Sequence, residues 1–197
     1  MLTSKKLLPA ALATVIAGAV ASFPAMAAFD YDEPRNEYER IELIDRLIVE
    51  KQFKDALEQI DLALQANPRN VQLQFKQAVI YSRMGRNRRA KEAFNNLIRQ
   101  YPEIVEPYNN LAAIYASEGN LSKARELLNR AITVNPNFSM SYENLGDLEM
   151  QSKTPDTKAA LNYYEKAAAL APQDRVLSRK LRAFKKYIEE NSKGQSK

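Results

Sequence analysis

The chain has 197 residues, with 29 Lys and Arg against 24 Asp and Glu, and it contains neither histidine nor cysteine. This composition excludes Ser-His-Asp and Cys-His nucleophiles, disulfides, and zinc, haem or iron–sulfur sites with nitrogen or sulfur ligands. The five glycines are too scattered to form a phosphate-binding loop. We therefore expect a protein that is not an enzyme and that holds no metal and no cofactor.

The first 27 residues differ in composition from the rest of the chain. Lys5 and Lys6 precede an uncharged stretch at 7–23, and Ala25 and Ala27 then offer small residues at the subsites that a signal peptidase reads. We interpret 1–27 as a cleavable signal peptide that exports the mature chain to the periplasm, without a lipid anchor because no cysteine follows. An uncleaved membrane anchor is the alternative, but the stretch is short for a span of about 20 apolar residues.

A repeat organises the remaining sequence. Its prolines lie 34, 34 and 36 residues apart, an alanine stands twelve residues before each proline, and a large side chain follows four residues after each alanine. The prolines are Pro68, Pro102, Pro136 and Pro172, the alanines are Ala56, Ala90, Ala124 and Ala160, and the large side chains are Ile60, Phe94, Leu128 and Tyr164. A fixed period in this range indicates a repeat architecture, and apolar residues at spacings of three and four predict amphipathic helices.

This pattern resembles the tetratricopeptide repeat (TPR), which places an aromatic, a Leu, a small residue and a Tyr on its first helix, Ala-x-x-x-Phe on its second, and Pro at its end. Tyr108, Leu111, Ala112 and Tyr115 match the first-helix part most fully. The resemblance implies an all-α fold, an α-solenoid of four TPR helical hairpins with a C-terminal capping helix. The expected repeats are 37–70, 71–104, 105–138 and 139–174, the expected cap is 175–190, and 28–36 and 191–197 are expected to be disordered.

Departures from the pattern concern the first and fourth repeats. The first repeat has Lys51 where Gly85 and Gly119 stand in the next two, so it is interpreted as an end repeat. The fourth repeat has Glu149 in place of the tyrosine and two additional residues near Thr154 and Pro155. Thr154 followed by Pro155 predicts an N-cap and a first-turn proline for the next helix.

In this family the first helix of each repeat lines a concave groove that holds a partner. Carried over by position, the resemblance assigns these partner-binding residues: Ile41, Ile48, Phe75, Lys76, Val79, Asn109, Asn110, Asn144 and Asp147. Asn110 and Asn144 stand 34 residues apart, which predicts a ladder of amides that holds a peptide backbone, with solvated polar positions as the alternative. The apolar members predict a floor for a partner's side chains, with packing between helices as the alternative.

A basic patch lies at the turn within the second repeat, formed by Arg83, Arg86, Arg88, Arg89 and Lys91. It predicts contact with an acidic partner, lipid head groups or an anionic envelope polymer, and a solvated charged turn is the alternative. The family's clamp for a terminal carboxylate is not reproduced, because Asp45, Val79 and Ala113 occupy places that need donors.

Together these features predict a non-catalytic periplasmic adaptor or scaffold that binds a peptide or subunit of a cell-envelope protein complex through its groove. A homo-oligomerising structural unit and an envelope polymer- or lipid-binding protein are the alternatives. Residues 28–197 carry 27 basic and 24 acidic side chains, a net charge of +3, and this balance does not suit a nucleic-acid binder.

Overall fold

The computed structural model describes Pro34 and residues 36–194, with side chains as far as Asn191, and this part of the chain forms nine helices and no strand. The helices are α1 (Glu37–Val49), α2 (Phe53–Ala66), α3 (Val71–Arg83), α4 (Asn87–Gln100), α5 (Glu106–Ser117), α6 (Leu121–Val134), α7 (Ser139–Met150), α8 (Thr157–Leu170) and α9 (Arg175–Gly194). The predicted signal peptide, and residues 28–33 and 35 of the segment predicted to be disordered, lie outside the described residues. No described helix is both long and apolar enough to cross a bilayer.

Each repeat forms one hairpin of two antiparallel helices. The pairs are α1 with α2, α3 with α4, α5 with α6, and α7 with α8, while α9 packs on α8. Contacts between α2 and α3, α4 and α5, and α6 and α7 join each hairpin to the next. Nearly all the packing is therefore between neighbours in sequence, and the predicted all-α solenoid of four hairpins is confirmed for the described residues.

The alanines of the repeat permit this close packing. Ala56, Ala90, Ala124 and Ala160 are completely buried, and so is the large side chain four residues after each of them. Phe94, Tyr108 and Leu111 belong to one continuous cluster of buried apolar side chains that runs through the middle repeats. Small residues let the helix backbones approach each other, and the large residues fill the space between hairpins.

Three of the four first helices end at a residue with a positive φ angle. These residues are Gly85 with φ 69°, Gly119 with φ 79° and Lys51 with φ 60°. Glycine adopts this conformation freely, whereas a residue with a side chain loses about 1 kcal/mol there. The turn that contains Lys51, in the first hairpin, is therefore the least favourable of the three turns.

The fourth repeat corrects one prediction of the sequence. α8 begins at Thr157, and the Asp156 carboxylate accepts a hydrogen bond from the Ala159 amide at 2.8 Å. The prediction that Thr154 caps this helix is therefore wrong. Asp is as good a cap as Thr, and Asp156 lies closer to the first buried turn of α8.

Glu149 shows how this repeat replaces the family's tyrosine. It is only 9% exposed, and its carboxylate is bound by both terminal nitrogens of Arg125 from α6, with 3.0 Å between Nη2 and Oε2. The hydrogen bond that Arg125 donates to this carboxylate raises the pKa of Arg125, although burial of the guanidinium opposes the shift. A bidentate ion pair between α6 and α7 thus stands where the second and third repeats have Tyr81 and Tyr115.

The last helix is longer than predicted. α9 continues to Gly194, so residues 191–194 of the predicted disordered tail are helical. No proline or glycine interrupts the sequence before Gly194, and Phe184 anchors the helix by packing edge-on against Tyr164 with 4.9 Å between ring centroids. Propensity and this anchor together extend the helix beyond the last buried turn.

The first helices of the hairpins are spaced more closely than the second helices. α3 contacts α5 and α5 contacts α7 more extensively than any two of the second helices contact each other. A stack in which one layer is more closely spaced curves towards that layer. The first helices therefore line the concave face, as the resemblance implies.

Candidate protein-binding surface

An ion pair between α1 and α3 marks the faces that these helices turn towards the groove. The Lys76 ammonium binds the Asp45 carboxylate across the two helices. Helical residues three, four or seven positions apart share a face. The same faces carry six apolar side chains, which we call the apolar seam: Tyr38, Ile41, Ile48, Val49, Phe75 and Val79.

The members of the apolar seam differ in how much of each side chain solvent reaches. Tyr38 is 69% exposed and Val49 is 80% exposed, while the other four are half-buried. Phe75 packs edge-on against Phe94 with 5.9 Å between ring centroids, and Val79 also packs on the core. Each interpretation of the apolar floor therefore applies to part of it. Phe75 and Val79 pack on the core between helices, whereas Tyr38 and Val49 of α1 are exposed and available to a partner's side chains.

Val49 was not among the candidate residues, although the repeat contains the signal for it. It lies four residues after Asp45, a groove position of the same helix, so helical spacing places it on the same face. Tyr38 occupies the groove position at the other end of α1. The two most exposed side chains of the seam thus lie at opposite ends of one helix.

Asn109 is placed differently from the prediction. It is only 1% exposed, and its amide nitrogen donates to Ser141 Oγ at 3.0 Å and to the Val105 carbonyl at 3.2 Å. The prediction that Asn109 contacts a partner is wrong, because the amide is buried between α5 and α7. Its role is to hold these two first helices together.

The other two asparagines of the predicted ladder stay closer to solvent. Asn144 donates to Asn109 Oδ1 at 3.2 Å, and Asn110 donates to the Glu106 carbonyl of its own helix at 2.9 Å. Each amide keeps its oxygen and one N–H for other bonds. The two-rung ladder stays a prediction, with one donor of each rung already engaged.

The C-terminal end of the groove is occupied by a side chain of the capping helix. Lys180 of α9 donates to Glu143 Oε1 at 2.8 Å and to Asp147 Oδ2 at 2.8 Å. Tyr164 also donates its hydroxyl to Asp147 Oδ1 at 2.6 Å. We call these four residues the Lys180 network. Asp147, predicted to bind a partner, already has two partners within the chain.

The repeat register also contains the signal for Lys180. It lies 36 residues after Asn144, the spacing of Pro136 and Pro172, so it occupies the position that Lys76, Asn110 and Asn144 occupy in earlier repeats. The contacts follow the same rule, because Lys76 reaches back to Asp45 as Lys180 reaches back to Asp147.

Ionisation in the Lys180 network reflects burial and hydrogen bonding. Burial, and then the hydrogen bond to Asp147, raise the pKa of Tyr164 well above its ordinary value. Burial by itself lowers the pKa of Lys180, but the hydrogen bonds to Asp147 and Glu143 outweigh it and raise that pKa on balance. The network therefore holds a neutral phenol and a charged ammonium at neutral pH.

A small cleft lies between these two ends, against α5, α6 and α7. Its volume is about 190 Å³, and it is lined by Ala112, Ala113, Ala116, Ser117, Leu128, Asn144, Asp147, Leu148 and Gln151. The alanines of α5 leave this space open because they have the smallest apolar side chains. The cleft is large enough for one apolar side chain and has the amides of Asn144 and Gln151 at its rim.

The sequence of this chain matches the model of a known protein family. The model of a tetratricopeptide repeat family matches residues 75–139 and 119–175, just over half of the chain. The chain belongs to the tetratricopeptide repeat family. A search of curated proteins returned no match.

Solved TPR structures share the fold at low sequence identity. PilF of Pseudomonas aeruginosa is 20% identical with a TM-score of 0.64, and the alignment covers 77% of this chain and 68% of that one. MamA from Desulfovibrio magneticus RS-1 is 15% identical with a TM-score of 0.58, covering 71% and 78%. The first TPR domain of Spaghetti, solved with an HSP90 peptide, is 17% identical with a TM-score of 0.53, covering 60% and 93%. TPR proteins are in general interaction scaffolds, and this chain has that architecture.

The predicted basic patch is divided among several surfaces of the TPR stack. Lys91 pairs with Glu118 at 2.8 Å and lies over the Tyr115 ring, so its charge is already compensated. Arg89 lies over the Tyr81 ring at 5.8 Å. Arg86 and Arg89 both line a cleft between α2 and α4 on the outer side of the stack. Arg83 extends the groove face of α3, and Arg88 is exposed at the start of α4. Arg86, Arg88 and Arg89 nevertheless line one surface cavity beside Gly85, so three of the five cations stay together.

Proposed function

We propose that this protein is an exported, non-catalytic TPR adaptor that holds an apolar segment of a cell-envelope protein in the N-terminal half of its concave groove. The observation that carries this proposal is the apolar seam. Tyr38 and Val49 remain 69% and 80% exposed, and both share a face of α1 with Asp45, which pairs with Lys76 of α3. Exposed apolar side chains on a concave surface are typical of an interaction site.

The other half of the groove supports the same assignment by contrast. Glu143 and Asp147 are already bound to Lys180, and Asn144 is bound to Asn109. A partner there must replace bonds that exist, whereas a partner on the seam only removes apolar surface from water. Complete burial of each large apolar side chain favours binding by about 1.5–3 kcal/mol.

The chemistry of the seam favours an apolar segment over an acidic tail. The first TPR domain of Spaghetti was solved with the HSP90 peptide SRMEEVD, which has an acidic end. In the present chain Val79 belongs to the seam, Asp45 shares a face of α1 with its exposed members, and Ala113 lines the neighbouring cleft. None of these three side chains donates a hydrogen bond to a carboxylate, so the proposed partner inserts apolar side chains.

The N-terminal sequence supports the proposed location. A basic start, an uncharged stretch and small residues before Ala28 are typical of a cleaved secretory signal. Expression of the full-length gene should yield a periplasmic protein whose first residue is Ala28, as checked by fractionation and N-terminal sequencing. An intact start at Met1 in the cytoplasm would contradict the exported role.

A crosslinking pull-down with two matched double variants tests the groove. Tyr38→Glu with Val49→Glu places charges on the seam and should abolish retention of the partner. Val176→Glu with Tyr187→Glu is the control, because these residues occupy the same two repeat positions on α9 and are 67% and 47% exposed. The control should retain the partner.

The outcome is read by mass spectrometry of the crosslinked material. Recovery of the same envelope protein by the native chain and the seam variant would remove the seam from the mechanism. Circular dichroism of both variants checks the fold, and the high exposure of all four side chains predicts little change in stability.

A further inference from the structure

A second cleft lies outside the groove, between α2 and α4. Its volume is about 400 Å³, and it is lined by Lys54, Leu57, Glu58, Asp61, Leu62, Gln65, Tyr81, Arg86 and Arg89. It separates the second helices of the first two hairpins. The apolar members of its lining are the buried Leu57, the half-buried Tyr81 and Leu62, which is 41% exposed.

The two walls of this cleft carry opposite charges. Glu58 and Asp61 lie on the α2 wall, with Lys54 one turn before Glu58, and Arg86 and Arg89 lie on the α4 wall. Among the described residues, no ion pair joins the two walls. Asp61 instead accepts a hydrogen bond from Gln77 at 2.8 Å, and Arg89 lies over Tyr81. Glu58 and Arg86 make no side-chain hydrogen bond or ion pair with any described residue, and all four charged side chains are exposed.

The basic wall conflicts with the local preference of its own helix. Arg86 occupies the N-cap position of α4 and makes no capping bond, whereas Asn120 and Asp156 cap α6 and α8 at the same repeat position. Arg88 and Arg89 then occupy the first turn, where the positive end of the helix dipole disfavours cations. Arginines at positions that disfavour them indicate that this wall has a role other than stabilising its own hairpin.

We propose that this cleft is a self-complementary interface through which two copies of the chain form a twofold dimer. A twofold axis along the cleft places the acidic α2 wall of each copy against the basic α4 wall of the other. Every contact is then made twice, as an isologous interface requires. Leu62, on the α2 wall of each copy, then also faces the α4 wall of the other.

The charge pattern selects a second copy over other occupants. An acidic partner meets Glu58 and Asp61 on one wall, and a basic partner meets Arg86 and Arg89 on the other. A second copy brings both signs in the complementary order without further requirement. The arrangement uses the outer surface, so both concave grooves remain free to bind, and the inference does not depend on the proposed function.

Charge-swapped variants test the interface. Arg86→Glu with Arg89→Glu makes both walls acidic, and Glu58→Lys with Asp61→Lys makes both walls basic. Each variant alone should dimerise at least tenfold more weakly than the native protein in analytical ultracentrifugation. An equimolar mixture should form a heterodimer, because an acidic cleft then faces a basic one. Added salt should weaken the native dimer.

Arg179→Glu with Arg182→Glu is the control variant. It changes the net charge by the same amount as Arg86→Glu with Arg89→Glu, but on exposed residues of α9, and should leave dimerisation unchanged. The protein is purified after expression of its full-length gene and measured from about 1 to 500 μM, a range that reveals weak association. A native protein that stays monomeric throughout, or a mixture that forms no heterodimer, would overturn the proposal. The seam pull-down reports separately on the groove.

Discussion

The groove positions of α1 and α9 are equivalent in the repeat, yet the side chains at these positions make different contacts. On α1, Asp45 makes one ion pair while Tyr38 and Val49 remain exposed around it. On α9, Lys180 enters the groove and binds Glu143 and Asp147, and Tyr187 stacks on Phe184 with 6.0 Å between ring centroids. At one end of the concave face apolar side chains surround a single ion pair, whereas at the other end Lys180 bonds the acidic side chains and Val176 and Tyr187 stay 67% and 47% exposed.

This difference indicates that the backbone geometry of the repeat does not determine where a partner binds. The helices at both ends follow the same geometry, and a few side chains at equivalent positions decide whether polar groups are bonded within the stack. The C-terminal end should therefore contribute more to stability, and the N-terminal end more to binding. Three changes test this division, in order of decreasing effect.

Removal of Arg125 should have the largest effect on stability. Arg125→Ala leaves the Glu149 carboxylate, whose side chain is 12% exposed, without its bidentate partner. A buried pair that loses one member usually costs 3–5 kcal/mol, and the 40% exposure of Arg125 reduces this to about 2 kcal/mol. Urea unfolding measures the loss. The Arg125→Leu, Glu149→Leu double variant is the control, and it should be less destabilised than Arg125→Ala.

Gly146→Ala should destabilise the fourth repeat by about 1–2 kcal/mol, because an added Cβ overpacks the core. That Cβ meets Tyr164 Cε1 at 2.6 Å, and the ring is held by Phe184 and Asp147. The third repeat has Ala112 and Leu128 at these two positions. The Gly146→Ala, Tyr164→Leu double variant should therefore lose less than the sum of its single changes, as a thermal double-mutant cycle would show. Strict additivity would contradict this steric account.

High pH should destabilise the C-terminal end with the smallest effect. Tyr164 and Lys180 both have a pKa raised from ordinary values of 10.0 and 10.5. A raised pKa contributes stability below the unfolded value, and this stability is lost as pH rises through the folded value. The melting temperature should therefore fall above pH 10, by about 2–4 °C for each kcal/mol lost.

Variants of the Lys180 network separate this effect from general alkaline unfolding. Tyr164→Phe with Lys180→Met should flatten the alkaline decline measured by calorimetry. Lys76→Met at the N-terminal end should leave the decline unchanged, because Lys76 forms a single, partly exposed pair with Asp45. An unchanged decline in the double variant would assign the titration to other groups.

Sequence reasoning succeeded where the interaction is local and repeated. The period of 34 residues, the buried alanines and the helical hairpins all follow from side-chain size and helical spacing. It failed for Asn109, because whether an amide faces solvent or a neighbouring helix depends on a rotation of a few tens of degrees about the helix axis. It did not predict the contacts of Lys180, because they join residues 33 and 37 positions apart on different helices.

The all-α class and the stack of TPR hairpins follow from the sequence alone, since helical period, small residues and turn residues act within about 34 residues of one another. The stacking of the hairpins determines which polar groups are already bonded. Lys180 and Asp147 are 33 residues apart, and Asn144 and Asn109 are 35 residues apart, and each pair meets only because the hairpins stack. Their distances depend on the rise and twist between repeats, which no single helix contains.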